Sequence, residues 1–304
     1  MDKDRRRRDV IRMKAGKVRK KVLALLLAGT AILGLTGGGT MQVEAAGQEN
    51  AYVDTSSYEQ LYKLYEDYFK LGIACQAMDH WNDPTAEIGN QEKEELINRM
   101  FNSMTFGNEL KPAYNFDASS ENLFKVDFAA EEMLEWAKEN NMKVRGHVLV
   151  WHSQVDPSIF AIDYQAYADG KLTKSDTAKL DEECLVDREE LLARLKRYIY
   201  GVLEYTYKNG YADVIYAWDV VNEAADENQY DGLRRSYWYQ IIGPDYLYYA
   251  FLYAREAETL YAKQYASLYG WMRIQMIFLP FSQNCFITII MSGLEAVAMQ
   301  LFIF

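Results

Sequence analysis

Three short clusters in this 304-residue chain combine carboxylates, amides, imidazoles and a lysine at the ends of apolar runs. The first is Asn108-Glu109-Leu110-Lys111-Pro112, directly after Met104-Thr105-Phe106. The second runs from Arg145 through Gly146, His147, Val148, Leu149, Val150, Trp151, His152 and Ser153 to Gln154. In the third, the apolar stretch Tyr216-Ala217-Trp218-Asp219-Val220-Val221 ends abruptly in Asn222-Glu223-Ala224. A carboxylic acid presented at the end of an apolar run suits proton donation to a leaving oxygen. Lysine, histidine and glutamine can bind sugar hydroxyls, and the Trp151 indole offers a flat stacking face. Glycoside hydrolysis normally uses two carboxylates, about 5–5.5 Å apart in retaining enzymes. Glu223 can be one of them. Burial and a nearby negative charge both favour the protonated form that such a donor needs.

Residues of this kind need a scaffold that delivers successive strand ends to one place. Between about Tyr52 and Gly270 strand-like and helix-like segments alternate. The pattern predicts strands at 68–74, 104–106, 143–151 and 214–222. It predicts helices at 92–100, 128–140, 188–207 and 244–269, with a polar insertion at 170–187. In the 128–140 helix, Phe128, Met133, Leu134 and Ala137 share one side. Repeated strand–helix units imply a parallel sheet covered by helices. No Gly-x-Gly-x-x-Gly fingerprint or Walker loop occurs, so a (β/α) barrel fits better than a dinucleotide-binding sheet. Such a barrel sets its chemistry at the carboxyl ends of its strands, where the three clusters fall. About four strands can be counted before Gly270, half of a closed eight-stranded barrel.

At this level of detail the chain resembles glycoside hydrolase family 10, the xylanase family, over roughly residues 55–270. Phe101-Asn102-Ser103-Met104-Thr105 with Asn108, Lys111 and Pro112 is similar to the family's second-strand motif. Arg145 to Gln154 is similar to the third, and Trp218 to Ala224 to the fourth. Many members carry Glu where this chain has Gly107. The resemblance implies an α/β fold, the (β/α)8 TIM barrel, with about its first half present. It implies Glu223 as acid/base, with Asn222 holding the sugar 2-hydroxyl beside it. It implies further that Asn108, Lys111, His147, Trp151 and Gln154 line the subsite on the non-reducing side of the cut. The substrate implied is β-1,4-xylan or its oligosaccharides, cut internally by a monomeric enzyme with retention and with no metal or organic cofactor. A cellulase-like family with its own Asn-Glu pair is the enzyme alternative, disfavoured by Arg145 to Gln154 and the Asn108/Lys111 pair. Zinc binding by His147 and His152 is a weaker rival. Placed five apart on a strand they would point to opposite faces, and His80 is the only other histidine.

The chain's two ends differ from this body. Residues 1–45 join a basic stretch, with Arg5 to Arg8 and Arg19-Lys20-Lys21, to a short apolar run from Val22 to Leu35 and small residues near Ala45. That is the pattern of a secretory signal peptide, cleaved near Ala45, and it implies an extracellular product with no lasting membrane association. The chain carries net charge −11, with 44 Asp/Glu against 33 Lys/Arg. Because the leader is basic, the body is more acidic still, and it would repel a phosphate backbone; nucleic acid is excluded as a partner. Three cysteines are too few for a disulfide framework, although Cys75 and Cys184 could pair outside the cell.

After Gly270 the resemblance stops. Trp271 to Phe304 holds only Arg273 and Glu295 as charged residues, without amphipathic order, and lacks the Asn-Asp-Tyr and Thr-Glu-Leu-Asp segments of the family's later strands. A membrane anchor is one reading, but Pro280, Ser282, Gln283 and Asn284 leave no clean run of about 20 apolar residues. The genetic code offers a sharper one. Codons built from the third base of each residue and the first two of the next allow Leu-Phe-Tyr-Asn-Asp-Tyr-Asn-Glu-Trp across Asn284 to Gly293. Ser282 to Asn284 allows Pro-Lys ahead of it, and Ala296 to Leu301 allows Arg-Ser-Asp-Ala-Ile after it. These are the missing fifth-strand residues in order, so a one-nucleotide frame change near Gly270 is expected. The partial barrel spans residues 46–270, and 271–304 is an out-of-frame tail without the nucleophile. Such a half-barrel should leave its fourth strand with an unpaired edge and its inner faces apolar and uncovered, a recipe for aggregation.

Overall fold

The computed structural model describes residues 57–77, 85–172 and 180–269, together with the backbone of three short strands beyond them. All lie in one compact unit, Thr55–Phe304; the signal-like leader falls in the other, Met1–Asp54, outside the described residues. Strands β1 (Gly72–Cys75), β2 (Ser103–Phe106), β3 (Lys143–Val150), β4 (Ile215–Asn222) and β5 (Ile277–Phe281) form one sheet in sequence order. Every neighbouring pair is parallel. Helices α1 (Gln91–Met100), α2 (Pro112–Asn115), α3 (Phe128–Glu139), α4 (Tyr164–Ala168), α5 (Arg188–Lys208), α6 (Tyr237–Ile242) and α7 (Tyr246–Tyr269) fill the crossovers. Parallel strands demand such crossovers, because a hairpin cannot join them. A two-residue antiparallel ladder, β6 (Thr288–Ile289) with β7 (Met299–Gln300), closes the described backbone.

The helices begin where the sequence supplies caps. The side chains of Asn90, Asp127 and Asp187 accept hydrogen bonds from the main-chain N–H groups of Lys93, Ala129 and Glu190, at the starts of α1, α3 and α5. Each satisfies a donor the helix cannot use itself. In α3 the buried stripe is Ala129, Ala130, Met133, Leu134 and Ala137. Phe128 does not belong to it: as the first helical residue it projects into solvent, 62% exposed. The last helix starts at Tyr246 instead of Pro244, because Gly243 adopts φ 98° and ends α6 just before it.

Period-two alternation decides what each sheet face does. Met104, Phe106, Val144 and Leu149 join Met133, Leu134, Leu195 and Leu203 in the core under the helices. Thr105, Lys143, Arg145 and His147, partly exposed, alternate with buried Met104, Val144, Gly146 and Val148. The uncovered face is therefore polar, contrary to the apolar inner face expected from sequence. The edge of β4 is also occupied: Ala217, Trp218, Asp219, Val221 and Asn222 register with Ile277 to Phe281 of β5. Five residues of extended backbone suffice for that ladder, whatever frame encodes them. Among the described residues, β1 and β5 form the two edges of this sheet. The rest of the tail, residues 271–276, 282–287, 290–298 and 301–304, lies outside the described set.

Candidate active site

The carboxyl ends of β2, β3 and β4 bring the three polar clusters together. After β2 the chain turns through Asn108 and Glu109 into α2, which Pro112 opens at a position where a missing N–H costs nothing. Glu109 is fully buried and holds the turn, accepting from the N–H groups of Ala77 (2.9 Å) and Asn108 (2.9 Å). Asn115 donates to the Glu109 carbonyl at 2.7 Å and accepts from the N–H of Asp127 at 2.9 Å. The turn is thus fixed from both sides, and Lys111 projects from it into the site. Its ammonium donates to Asn108 Oδ1 (2.8 Å) and Gln154 Oε1 (2.7 Å), and Gln154 Nε2 donates to the same Asn108 oxygen (2.9 Å).

Lys111 also lies over the Trp151 ring, 5.1 Å from its centroid. Burial pulls its pKa below the usual lysine value, while the charges of Glu109 and Glu223 act in the opposite direction. Trp151 stands between His147 (6.1 Å between ring centroids) and His152 (5.9 Å, edge to face). Its carbonyl accepts from Trp238 Nε1 at 3.0 Å, which fastens the loop after β3 to α6.

Asp219, 1% exposed, anchors this wall from β4. It accepts from Arg145 Nε (2.9 Å) and Nη2 (2.6 Å) and pairs with His147 Nδ1 at 2.9 Å. A buried carboxylate shared by a guanidinium and an imidazole fixes both ring orientation and tautomer. Asp219 sits inside the fourth-strand motif, yet it was given no role from sequence. The signal was its position one turn of the pleat before Val221, on the face shared with Arg145 and His147.

Glu223 follows β4 with φ 52°, a left-handed conformation costly for a residue with a side chain. Its carboxyl is nearly buried and lies 3.6 Å from His152 Nε2. Arg234 Nε donates to the Glu223 carbonyl at 2.9 Å, and the N–H of Arg234 bonds the Ala224 carbonyl at 2.8 Å. Sequence reading missed Arg234, since nothing in a lone arginine eleven residues away marks it. His152 has its pKa lowered, first by burial and then by the Arg234 charge, against an opposing pull from Glu223. At neutral pH the pair is therefore a neutral imidazole beside a carboxyl group. Asn222 is buried, and its Oδ1 has no hydrogen-bond partner among the described residues; Trp151 Nε1 and His152 Nδ1 share that condition. Buried polar atoms without partners carry a penalty of about 1–3 kcal/mol each, which ligand hydroxyls would relieve.

Residues 60–272 match the sequence profile described as glycosyl hydrolase family 10. The chain belongs to that family. This family 10 chain is 38% identical over 199 residues to endo-1,4-beta-xylanase A of Thermotoga maritima, covering 65% of itself and 16% of that enzyme. It is 40% identical over 198 residues to endo-1,4-beta-xylanase A of Caldicellulosiruptor sp., covering 65% of itself and 25% of the relative. Among solved structures it resembles the intracellular xylanase of Thermoanaerobacterium saccharolyticum, with TM-score 0.52 and 33% identity. That match covers 67% of this chain and 54% of the other. The family 10 chain thus spans about half of that solved enzyme and far less of the two larger relatives. Its sheet is part of the family's (β/α)8 barrel, with β1 to β4 as successive barrel strands.

All seven sequence-selected residues of the family 10 chain lie at one end of its sheet. Asn108, Lys111, Gln154 and Trp151 form one connected group, His147 abuts it, and Asn222 and Glu223 border it through His152. His152 is not on the strand, which ends at Val150, so the expected opposite-face arrangement with His147 does not apply. A Cβ at Gly107 would fall 2.6 Å from Gln76 Cγ, so the Gln76 side chain occupies the space beside this glycine. Cys75 and Cys184 are free thiols.

Proposed function

We propose that the gene encodes an exported endo-1,4-β-xylanase acting with retention, and that this 304-residue chain supplies the proton-donor half of its site without the nucleophile. The observation that carries the reading is Glu223 itself: a carboxyl at a strand's end, 3.6 Å from a neutral imidazole and next to an amide oxygen that is unpaired among the described residues. Glu223 would protonate the glycosidic oxygen, and Asn222 would hold the 2-hydroxyl of the sugar being cut. Asn108, Lys111, His147, Trp151 and Gln154 would hold that sugar on the non-reducing side. Their mutual hydrogen bonds present ready-ordered donors and acceptors, so little ordering remains for substrate to impose. Xylan and xylo-oligosaccharides are the partners supported by the relatives' names and by a xylotetraose complex of a variant of the T. saccharolyticum enzyme.

A second carboxylate belongs about 5–5.5 Å from the first in a retaining enzyme. The 304 residues contain no Thr-Glu-Leu-Asp segment. Loss of one member of a catalytic set costs several orders of magnitude, so hydrolysis by this chain is negligible and at most weak xylan binding remains. The frame change near Gly270 accounts for the loss. Reducing-sugar release from xylan tests both halves. The chain as written gives none, whereas the gene with its frame restored after codon 270 releases sugar and loses activity on Glu223→Gln. Hydrolysis by the 304-residue chain, or an active restored enzyme carrying Gln at 223, overturns the assignment. Export is tested by amino-terminal sequencing of the culture product, expected to begin just after Ala45.

A further inference from the structure

A groove of about 1360 Å3 opens next to the two residues that flank Glu223, and none of Asn108, Lys111, His147, Trp151 and Gln154 lines it. His152 and Arg234, which flank Glu223, form its inner end; Gln229, Arg235 and Gln240 lie along it. This exceeds the roughly 300–1,000 Å3 of a small-molecule pocket and suits a run of sugars. One wall is the loop after β4, which is tightly built. Ala225 bridges Leu233, the N–H of Asp226 bonds the Gly232 carbonyl (2.9 Å), and Asp226 Oδ1 accepts from the N–H of Asn228 (3.0 Å). Gly232, at φ 72°, lets the loop turn back.

Next to Gln229, and over the Arg235 that also lines the groove, stands Tyr230, 93% exposed. An isolated surface tyrosine needs no explanation, but this one is held in place. The Arg235 guanidinium lies over its ring at 5.1 Å and over that of Tyr239 at 4.1 Å. Arg235 is in turn clamped by Asp231 at 3.0 Å, and Asp231 accepts from the Tyr239 hydroxyl at 2.7 Å. One face of Tyr230 rests on a fixed cation and the other is open. A large flat ring with its ordering cost already met is what stacking on a sugar requires.

We propose that Tyr230 is a stacking platform for a distal xylosyl unit on the reducing side of the cut, making the chain selective for longer oligosaccharides. This rests on the xylanase reading, because it takes Glu223 as the point the polymer crosses. The test uses the full chain and calorimetric binding of xylotriose and xylohexaose. Tyr230→Ala should weaken xylohexaose about tenfold, the scale of one aromatic contact, and leave xylotriose unchanged. Tyr230→Phe should bind both like the parent. Parent-like xylohexaose binding by Tyr230→Ala overturns the inference and leaves the xylanase reading standing, as does equal weakening of both ligands. A parent chain that binds neither oligosaccharide also overturns the inference, while sugar release by the frame-restored gene decides the xylanase reading separately.

Discussion

Gly146→Ala is the perturbation that most directly probes how the site is held. Gly146 on β3 lies beside Trp218 on β4, in the parallel register Gly146 to Trp218 and His147 to Asp219. A Cβ built on Gly146 would sit 2.6 Å from Trp218 Cζ3 and closer still to Cε3 and Cδ2. Carbon atoms rest about 3.5–4.0 Å apart, so the indole would have to retreat by about 1 Å. Trp218 is 1% exposed and packed within the core, leaving nowhere to go. Overpacking of this kind costs about 1–3 kcal/mol, and a rigid buried ring places it near the top of that range. At roughly 2–4 °C per kcal/mol for a domain of this size, the melting temperature should fall about 6–12 °C. The strain also pushes β4 away from β3 where His147 meets Asp219 at 2.9 Å, so xylotriose affinity should fall with stability. Thermal melts followed by circular dichroism measure the first effect and calorimetry the second. Gly170→Ala is the control: φ is 70° and nothing lies within 4 Å of its Cβ, so only the left-handed penalty of about 1–2 kcal/mol applies. A Gly146→Ala melt within 2 °C of the parent, or a larger loss for Gly170→Ala, would refute the reasoning.

Further outcomes can be checked on the same chain. Lys111→Met removes a charged donor from Asn108 and Gln154; at about 1.5–3 kcal/mol for each such bond, xylotriose binding should drop at least tenfold in calorimetry, and an unchanged affinity would remove Lys111 from the site. His152 has a folded pKa below its unfolded value, so below about pH 6.5 the unfolded state binds a proton the folded state does not. Stability should therefore decline as pH falls through that region, and His152→Gln should flatten the decline in urea titrations; identical profiles for both proteins would contradict it. Burial, with help from Glu87 and Glu109, pushes the Cys75 thiol up to about 12. Iodoacetamide at pH 8 should modify Cys184 in the native chain and spare Cys75, as read by peptide mass; labelling of Cys75 first would show that the end of β1 is open.

How much of this was legible beforehand depended on what each feature rests on. Strand and helix order was readable because period-two and period-3.6 patterns are local. The start of the helix at Phe128 was read correctly, whereas the last helix began two residues later than expected, where left-handed Gly243 ends the one before it. Phe128 was misplaced onto the buried face because periodicity says nothing about which end of a helix meets solvent. The polar character of the open sheet face was written in Thr105, Lys143, Arg145 and His147, but only the register with β4 shows that they share a side.

The sequence by itself determined the family and named the seven residues proposed for the site, because motif chemistry is a one-dimensional fact. The proposal of an out-of-frame tail also rests on the sequence alone, for codons are read along the chain. Only the tertiary structure decided what holds the acid: Arg234 on its carbonyl, His152 kept neutral by burial, and Asp219 locking His147. It alone placed Tyr230 over the Arg235 guanidinium, which lines the groove. These contacts join residues far apart in sequence, and their strength comes from geometry and desolvation, which exist only once the strands are side by side.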